Sequence, residues 1–140
     1  MLHPAIQDPA DLAAATRAAE AEALAAAGTF GAALRASPEF TALLAADRAL
    51  SEDPAATSAI EAFQSRQAEF RVELMMGVLP EARRAELEHL QQAMLAVASV
   101  ASYVDATAAF QAVCRETASV VSAQIGIDFA ANCRSGGCCG

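Results

Sequence analysis

The chain has 140 residues and a formal net charge of −8, with nine basic residues, all arginine, against seventeen acidic ones. That length fits one domain, and the acidic balance argues against a direct nucleic-acid binder, which carries a basic footprint. Apolar residues make up 55% of the chain but aromatics only 5%, with no Trp. Alanine supplies much of the apolar share, so the composition predicts an all-α fold with thin, close-packed helix seams.

Prolines punctuate the chain at Asp8-Pro9, Ser37-Pro38, Asp53-Pro54 and Leu79-Pro80. Three of these pairs put Asp or Ser at a helix N-cap and Pro at the first helical position, where its missing amide costs nothing. The first predicted helix runs from about Pro9 to Ala36, with Leu12, Leu24, Ala27, Phe30 and Leu34 on its apolar side. Gly28 and Gly31 lie inside it, and a helix-interior glycine costs about 1 kcal/mol against alanine. A kink, a break or a close approach of another helix is therefore expected near Gly28.

The second helix is predicted from about Pro38 to Leu50, with Phe40, Leu43, Leu44 and Leu50 inward, and Ser51-Glu52-Asp53 as the turn. The third runs from about Pro54 to Val78. Along it Ile60, Phe63, Gln67, Phe70 and Leu74 recur at spacings of three and four, a coiled-coil-like seam. The fourth starts at Pro80 and carries Leu87, Leu90, Met94 and Val97. A fifth runs from about Ser102 to Gln124, with Phe110, Val113, Thr117 and Val120 on one face; one long helix from Pro80 to Gln124 is the alternative. About five helices thus form an antiparallel bundle over residues 1–126, and residues 127–140 form a Cys/Gly-rich C-terminal arm.

Narrow seams on long helices leave a core that a partner completes, so an oligomer is expected, with Phe63, Gln67, Phe70 and Leu74 as the partner-binding residues. Met75-Met76 reads first as core packing, with an adaptable partner surface as the alternative. No signal-peptide pattern and no membrane span is visible; the longest uncharged run, about His89 to Val104, contains glutamines and serines. A reducing, cytoplasmic setting is expected. There, clustered cysteines point to metal or redox chemistry more than to disulfides.

Chemistry concentrates in the last eight residues, where Cys133, Cys138 and Cys139 are spaced C-x4-C-C. Thiolates bind Zn²⁺, Cu(I) and iron–sulfur clusters. Gly136 and Gly137 free the backbone to turn Cys133 and Cys138 toward one centre. Adjacent side chains diverge, so the tail supplies two or three ligands and a closed site needs another donor. Cys114 is the internal candidate, though it lies beside an apolar stripe and reads first as a core residue. Thiol redox chemistry and a chemically idle chain end are the alternatives for the tail. So is a modified precursor peptide, with the helices as leader and Gly136-Gly137 as cleavage site. His3 and His89 are remote in sequence, and Glu81, Glu86 and Glu88 with Arg83 and Arg84 read as a solvated surface. No carboxylate–histidine constellation or phosphate loop is present, so no enzyme is expected.

The order Leu34-Arg35-Ala36-Ser37-Pro38-Glu39-Phe40, then Asp53-Pro54, then Ile60-Glu61-Ala62-Phe63-Gln64-x-x-Gln67 resembles the YlbF/YmcA family of small helical bacterial regulators. Its pattern is S-x-x-[YF], D, then [LI]-[IL]-x-x-F-x-x-x-Q, and some members end in a Gly/Cys-rich tail. The resemblance implies antiparallel long helices, association with related helical proteins and a non-enzymatic role modulating an RNA-processing nuclease. It also implies an iron–sulfur cluster held by cysteines, for which Cys133, Cys138 and Cys139 match the tail.

Overall fold

The structure is a computed structural model and describes residues 9–131. Among these the fold is all-α, with no strand. The helices are α1 (Pro9–Arg35), α2 (Pro38–Ser51), α3 (Pro54–Glu69), α4 (Arg71–Met76), α5 (Glu81–Leu95) and α6 (Ala98–Ile125). The chain divides into two units, Met1–Ser37 and Pro38–Gly140.

The first unit is α1. It is one helix through Gly28 and Gly31, so the expected break at Gly28 does not form. The surrounding alanines, the best helix formers, offset the two glycines. Thr16 and Thr29 hydroxyls donate to the carbonyls of Leu12 and Ala25 (2.9 and 3.1 Å), which hides their polarity within the helix. Ser37 closes the unit, its hydroxyl donating to the Leu34 carbonyl at 2.7 Å.

In the second unit α2 packs along α6, and α3 along α5. Both pairs are antiparallel. Phe40 near the start of α2 meets Phe110 in the middle of α6, with ring centroids 5.4 Å apart and tilted by 54°. The end of α2 lies instead beside the start of α6, where Asp53 meets Ser99. The α2 stripe toward α6 is Phe40, Leu43, Ala46 and Leu50; Leu44, expected inward, is exposed. Spacing explains this, since Leu44 is one residue, about 100°, round from Leu43. On α6 the half-buried stripe likewise passes through Thr117 and Val121, leaving Val120 exposed. Among the described residues only Ala46, Ala56, Phe70 and Val100 are buried. A seam half made of alanine brings helices close but encloses few large side chains.

Two predicted helices are redrawn. The single helix expected over Pro54–Val78 is α3 and α4, parted at Phe70, whose φ of −93° and ψ of 8° leave the helical region. Gly77, with φ of 68°, then ends α4. Val78 N donates to Glu73 O (3.0 Å) and Gly77 N to Leu74 O (3.2 Å). This pair of bonds satisfies the last carbonyls around a left-handed residue, which favours glycine. Neither the long helix from Pro80 nor a break at Ser102 is found. The break falls at Ala96-Val97, where the axes of α5 and α6 turn by 86°.

That corner is held by Asp53. Its Oδ1 accepts from the amides of Ala55 (2.9 Å) and Ala56 (3.4 Å), capping α3, as the Asp-Pro pair predicts. Its Oδ2 accepts from the Ser99 hydroxyl at 2.6 Å, in the first turn of α6. Val97, the N-cap of α6, makes no side-chain cap bond. One carboxylate therefore sits at the positive ends of two helices. The Ser99 hydrogen bond, with help from the two amides and against partial desolvation, lowers the Asp53 pKa below its ordinary 3.8.

A folded pKa below the unfolded one means that this contribution is complete above the ordinary aspartate range and fades as pH falls through the folded value. Asp53→Ala is expected to lower the melting temperature by about 5 °C at pH 7. Asp53→Asn keeps a capping oxygen and loses less, but its melting temperature falls less than that of wild type between about pH 4 and pH 2. Parallel acid limbs in thermal melts of wild type and Asp53→Asn would exclude this role.

Candidate functional site

The antiparallel α3–α5 pair and the short α4 form the most developed surface of the second unit. Phe70, at the α3–α4 junction, is 3% exposed. The Arg83 guanidinium of α5 lies 5.0 Å above its ring centroid. Arg83 also pairs with Glu73 of α4. A cation over a ring face, anchored by a carboxylate, closes the junction from outside. One turn away Arg66 bonds Glu69 at 2.6 Å on its own helix and Glu86 of α5 at 2.8 Å. The hydrogen bond that Arg66 donates to Glu69, followed by the charges of Glu69 and Glu86, raises the Arg66 pKa; Glu73 does the same for Arg83. Arg83 and Glu86, read from sequence as solvated surface, thus tie α5 to α3 and α4. These bridges are at least a third exposed, so they set register more than they add stability.

Beside this tied edge lies an open groove of about 300 Å³, lined by Phe63, Gln67, Leu74, Leu79, Leu87 and Gln91 among others. Three of the four residues expected to bind a partner, Phe63, Gln67 and Leu74, come together here. Phe70 does not; it faces into this chain under Arg83. Next to the groove, α4 and its exit present Val72, Met75, Met76 and Val78 to solvent. Met75 is 78% exposed and Met76 68%, which corrects their reading as core. The physical cause is length: a six-residue helix has too few turns to bury two faces, and its inner face is taken by Phe70 and Glu73. The Met-Met pair was visible in the sequence, but its orientation depends on the kink at Phe70.

The cysteine chemistry is distributed differently. Cys133, Cys138 and Cys139 lie outside the described residues. Cys114 is half-buried on α6. Among the described residues no three His, Cys, Asp or Glu side chains gather as a metal site. His89 is exposed on α5. Cys114 does line an open trough of about 1070 Å³, formed by the C-terminal half of α6 and residues 126–130.

With this geometry in hand, one comparison is decisive. The family described as "Control of competence regulator ComK, YlbF/YmcA" matches residues 23–126, from the middle of α1 through the end of α6. The chain belongs to the YlbF/YmcA family. Searches of curated proteins and of solved structures gave no match. The family is one of regulators, and the residues on which the resemblance was read have physical roles in this chain. Ser37 closes α1, Phe40 packs on Phe110, Asp53 joins two helix starts, and Phe63 and Gln67 line the groove. The match ends at Gly126, before the tail cysteines. In addition, among the described residues no single helix is long and apolar enough to cross a membrane.

Phe70→Ala is expected to destabilise the chain by about 3 kcal/mol, because it empties an enclosed site. Gln67→Ala, at the open groove, is expected to change stability by less than about 0.5 kcal/mol. Urea unfolding of both variants separates a residue that builds the surface from one that is displayed on it.

Proposed function

We propose that this YlbF/YmcA chain is a non-catalytic regulatory adaptor. It acts by seating the α3–α4 face against a second helical chain of the same family, and it carries a soft-metal or iron–sulfur site on its tail thiols. The observation that carries the first part is the exposed apolar edge Val72, Met75, Met76 and Val78 beside the Phe63–Gln67–Leu74 groove. Contiguous apolar surface of this kind, next to a seam with few enclosed side chains, gains most by burial against a helix face. Methionine suits such a face because its unbranched side chain adapts to its partner. The surrounding surface is held in register by Arg66 and Arg83, so the face is preformed.

The acidic net charge supports action through protein contact and not by direct RNA or DNA binding. Any effect on an RNA-processing nuclease then passes through the partner, in a cytoplasmic setting. For the tail, Cys133, Cys138 and Cys139 offer thiolates, the donors that soft ions and iron–sulfur clusters prefer. Three thiolates with two adjacent leave the donor set one short of a closed tetrahedral site. A bound cluster would supply redox sensitivity or a lock between subunits. Zinc or Cu(I) binding for delivery is the second reading, favoured by the same donors and distinguished by the absence of sulfide.

The association is tested by light scattering on wild type and on Met75→Glu/Met76→Glu. Wild type is expected to dimerise or to bind a family partner, and the double variant to weaken this at least tenfold with helicity unchanged. A monomeric wild type without affinity for family members would refute the adaptor reading. Anaerobic purification with iron, sulfide and zinc analysis tests the tail. Metal in wild type and its loss in a triple Cys→Ser tail variant are expected; a metal-free wild type refutes it.

A further inference from the structure

The corner between α5 and α6 has a second arrangement within reach. Only Ala96 and Val97 separate the two helices, and neither is a helix breaker. The helical ladder is interrupted only briefly around them. Ala96 N still donates to Gln92 O at 2.9 Å, Val97 N reaches Met94 O at 3.2 Å, and Ala101 N opens α6 on Val97 O at 3.0 Å. The amides of Ala98, Ser99 and Val100 precede that bond in the first turn of α6. A continuous helix would give them the carbonyls of Met94, Leu95 and Ala96. Across the corner the side-chain latch is the Ser99 hydroxyl, donating to Asp53 Oδ2 at 2.6 Å, since Val97 makes no cap bond. Packing reinforces it little: of the four side chains buried among the described residues, Val100 alone belongs to α6.

Straightening this corner changes what α6 meets. Leu87 and Leu90 lie on the side of α5 that faces α3, near Phe63 and Arg66. Phe110, which packs on Phe40 of α2, comes twenty residues after Leu90. At 100° per residue that is about 200°, close to the opposite side of a continuous helix. With α2 and α5 kept against α3, a continuous helix therefore carries Phe110 away from its own α2. Two surfaces are uncovered together, the α2 stripe Phe40, Leu43, Ala46 and Leu50 and the α6 stripe through Phe110 and Thr117. Each already fits the other, so a second copy opened in the same way covers both with contacts that one chain makes alone. Exchange of one element between identical chains costs little for this reason, and a short hinge invites it.

We propose that Ala96-Val97 is a hinge across which two copies of this chain exchange α6. In the exchanged form residues 81–125 are one helix, and each α6 seats on the other copy's α2. The hydrogen bond from Ser99 to Asp53 is the latch that must break for the corner to open. The exchange leaves α3 and α4 as they are, so it stands independently of the docking face proposed above. Where that face also works as proposed, the exchanged dimer carries it twice and gains avidity for a partner with two matching sites.

The test uses the full chain carrying Met75→Glu and Met76→Glu, which removes association through the α3–α4 face and so keeps the two readings apart. Protein is held concentrated, then diluted and sized by light scattering. A dimer that outlives dilution is expected, because parting requires each α6 to leave α2. Adding Ser99→Ala is expected to speed its formation at least threefold, and adding Ala98→Pro to abolish it. Proline fits the corner: it falls at the first position of α6, after Val97 at φ −70° and ψ 124°, the extended backbone that precedes proline. In a continuous helix it breaks the ladder. Spin labels at His89→Cys and Glu116→Cys, both exposed sites, read the hinge directly once the four native cysteines are changed to serine. At 1.5 Å per residue these positions are about 40 Å apart along one helix and about 30 Å apart around the corner. With unlabelled chain in excess, the monomer is expected to give the shorter distance and the dimer the longer. No dimer in Ser99→Ala at high concentration, a dimer indifferent to Ala98→Pro, or a dimer with the shorter distance overturns the exchange. A formation rate indifferent to Ser99→Ala overturns the latch. Should Ala98→Pro fail to fold, the distance decides.

Discussion

The Asp53 carboxylate carries an unusual share of the architecture for a single half-buried group. One oxygen caps α3; the other accepts the Ser99 hydroxyl in the first turn of α6. Because α2 ends and α5 turns into α6 at the same place, this contact sets where the α2–α6 pair begins relative to α3–α5. A negative charge at two helix N-termini is favourable for each, and α6 makes no other side-chain cap bond at its N-cap. With only four buried side chains among the described residues, a directional polar contact does what a large core does elsewhere: it selects one arrangement among several similar alanine packings.

The same economy shapes the candidate face. Alanine seams let helices approach closely but enclose little, and the larger apolar groups are left for other uses. Phe70 is spent on the α3–α4 junction under Arg83, while Phe63, Gln67 and Leu74 line a groove and the methionines of α4 stand beside it. A kink produced by burying one aromatic ring thus turns the following six residues outward. The surface that membership of a regulator family leads one to seek is a by-product of how the chain closes its own thin interior.

Much of the candidate face was legible because helical periodicity selects residues on one side without knowing what covers them. By spacing Phe63, Gln67, Phe70 and Leu74 fall on one stripe, whereas in the fold Phe70 turns away from the other three. Periodicity does not tell a stripe that meets its own chain from one that meets another, so Phe70 was grouped with residues it does not resemble in exposure. The thiols present the complementary case. That thiolates are soft donors is plain from residue type, whereas the trough that Cys114 lines depends on a reversal at Gly126 and a hydrogen bond to Ser122.

Composition and local pattern by themselves determined that the chain is helical, where α2 and α3 begin, and that Asp53 caps. These follow from alanine propensity and from the Asp-Pro and Ser-Pro pairs. Only the tertiary structure decided the 86° corner at Ala96-Val97, the parting at Phe70 and the outward turn of Met75 and Met76. No proline or glycine stands at either break, and every residue there is a tolerable helix former. The energy that interrupts the helix comes from elsewhere in the sequence, from Asp53 reaching Ser99 and from Arg83 closing over Phe70.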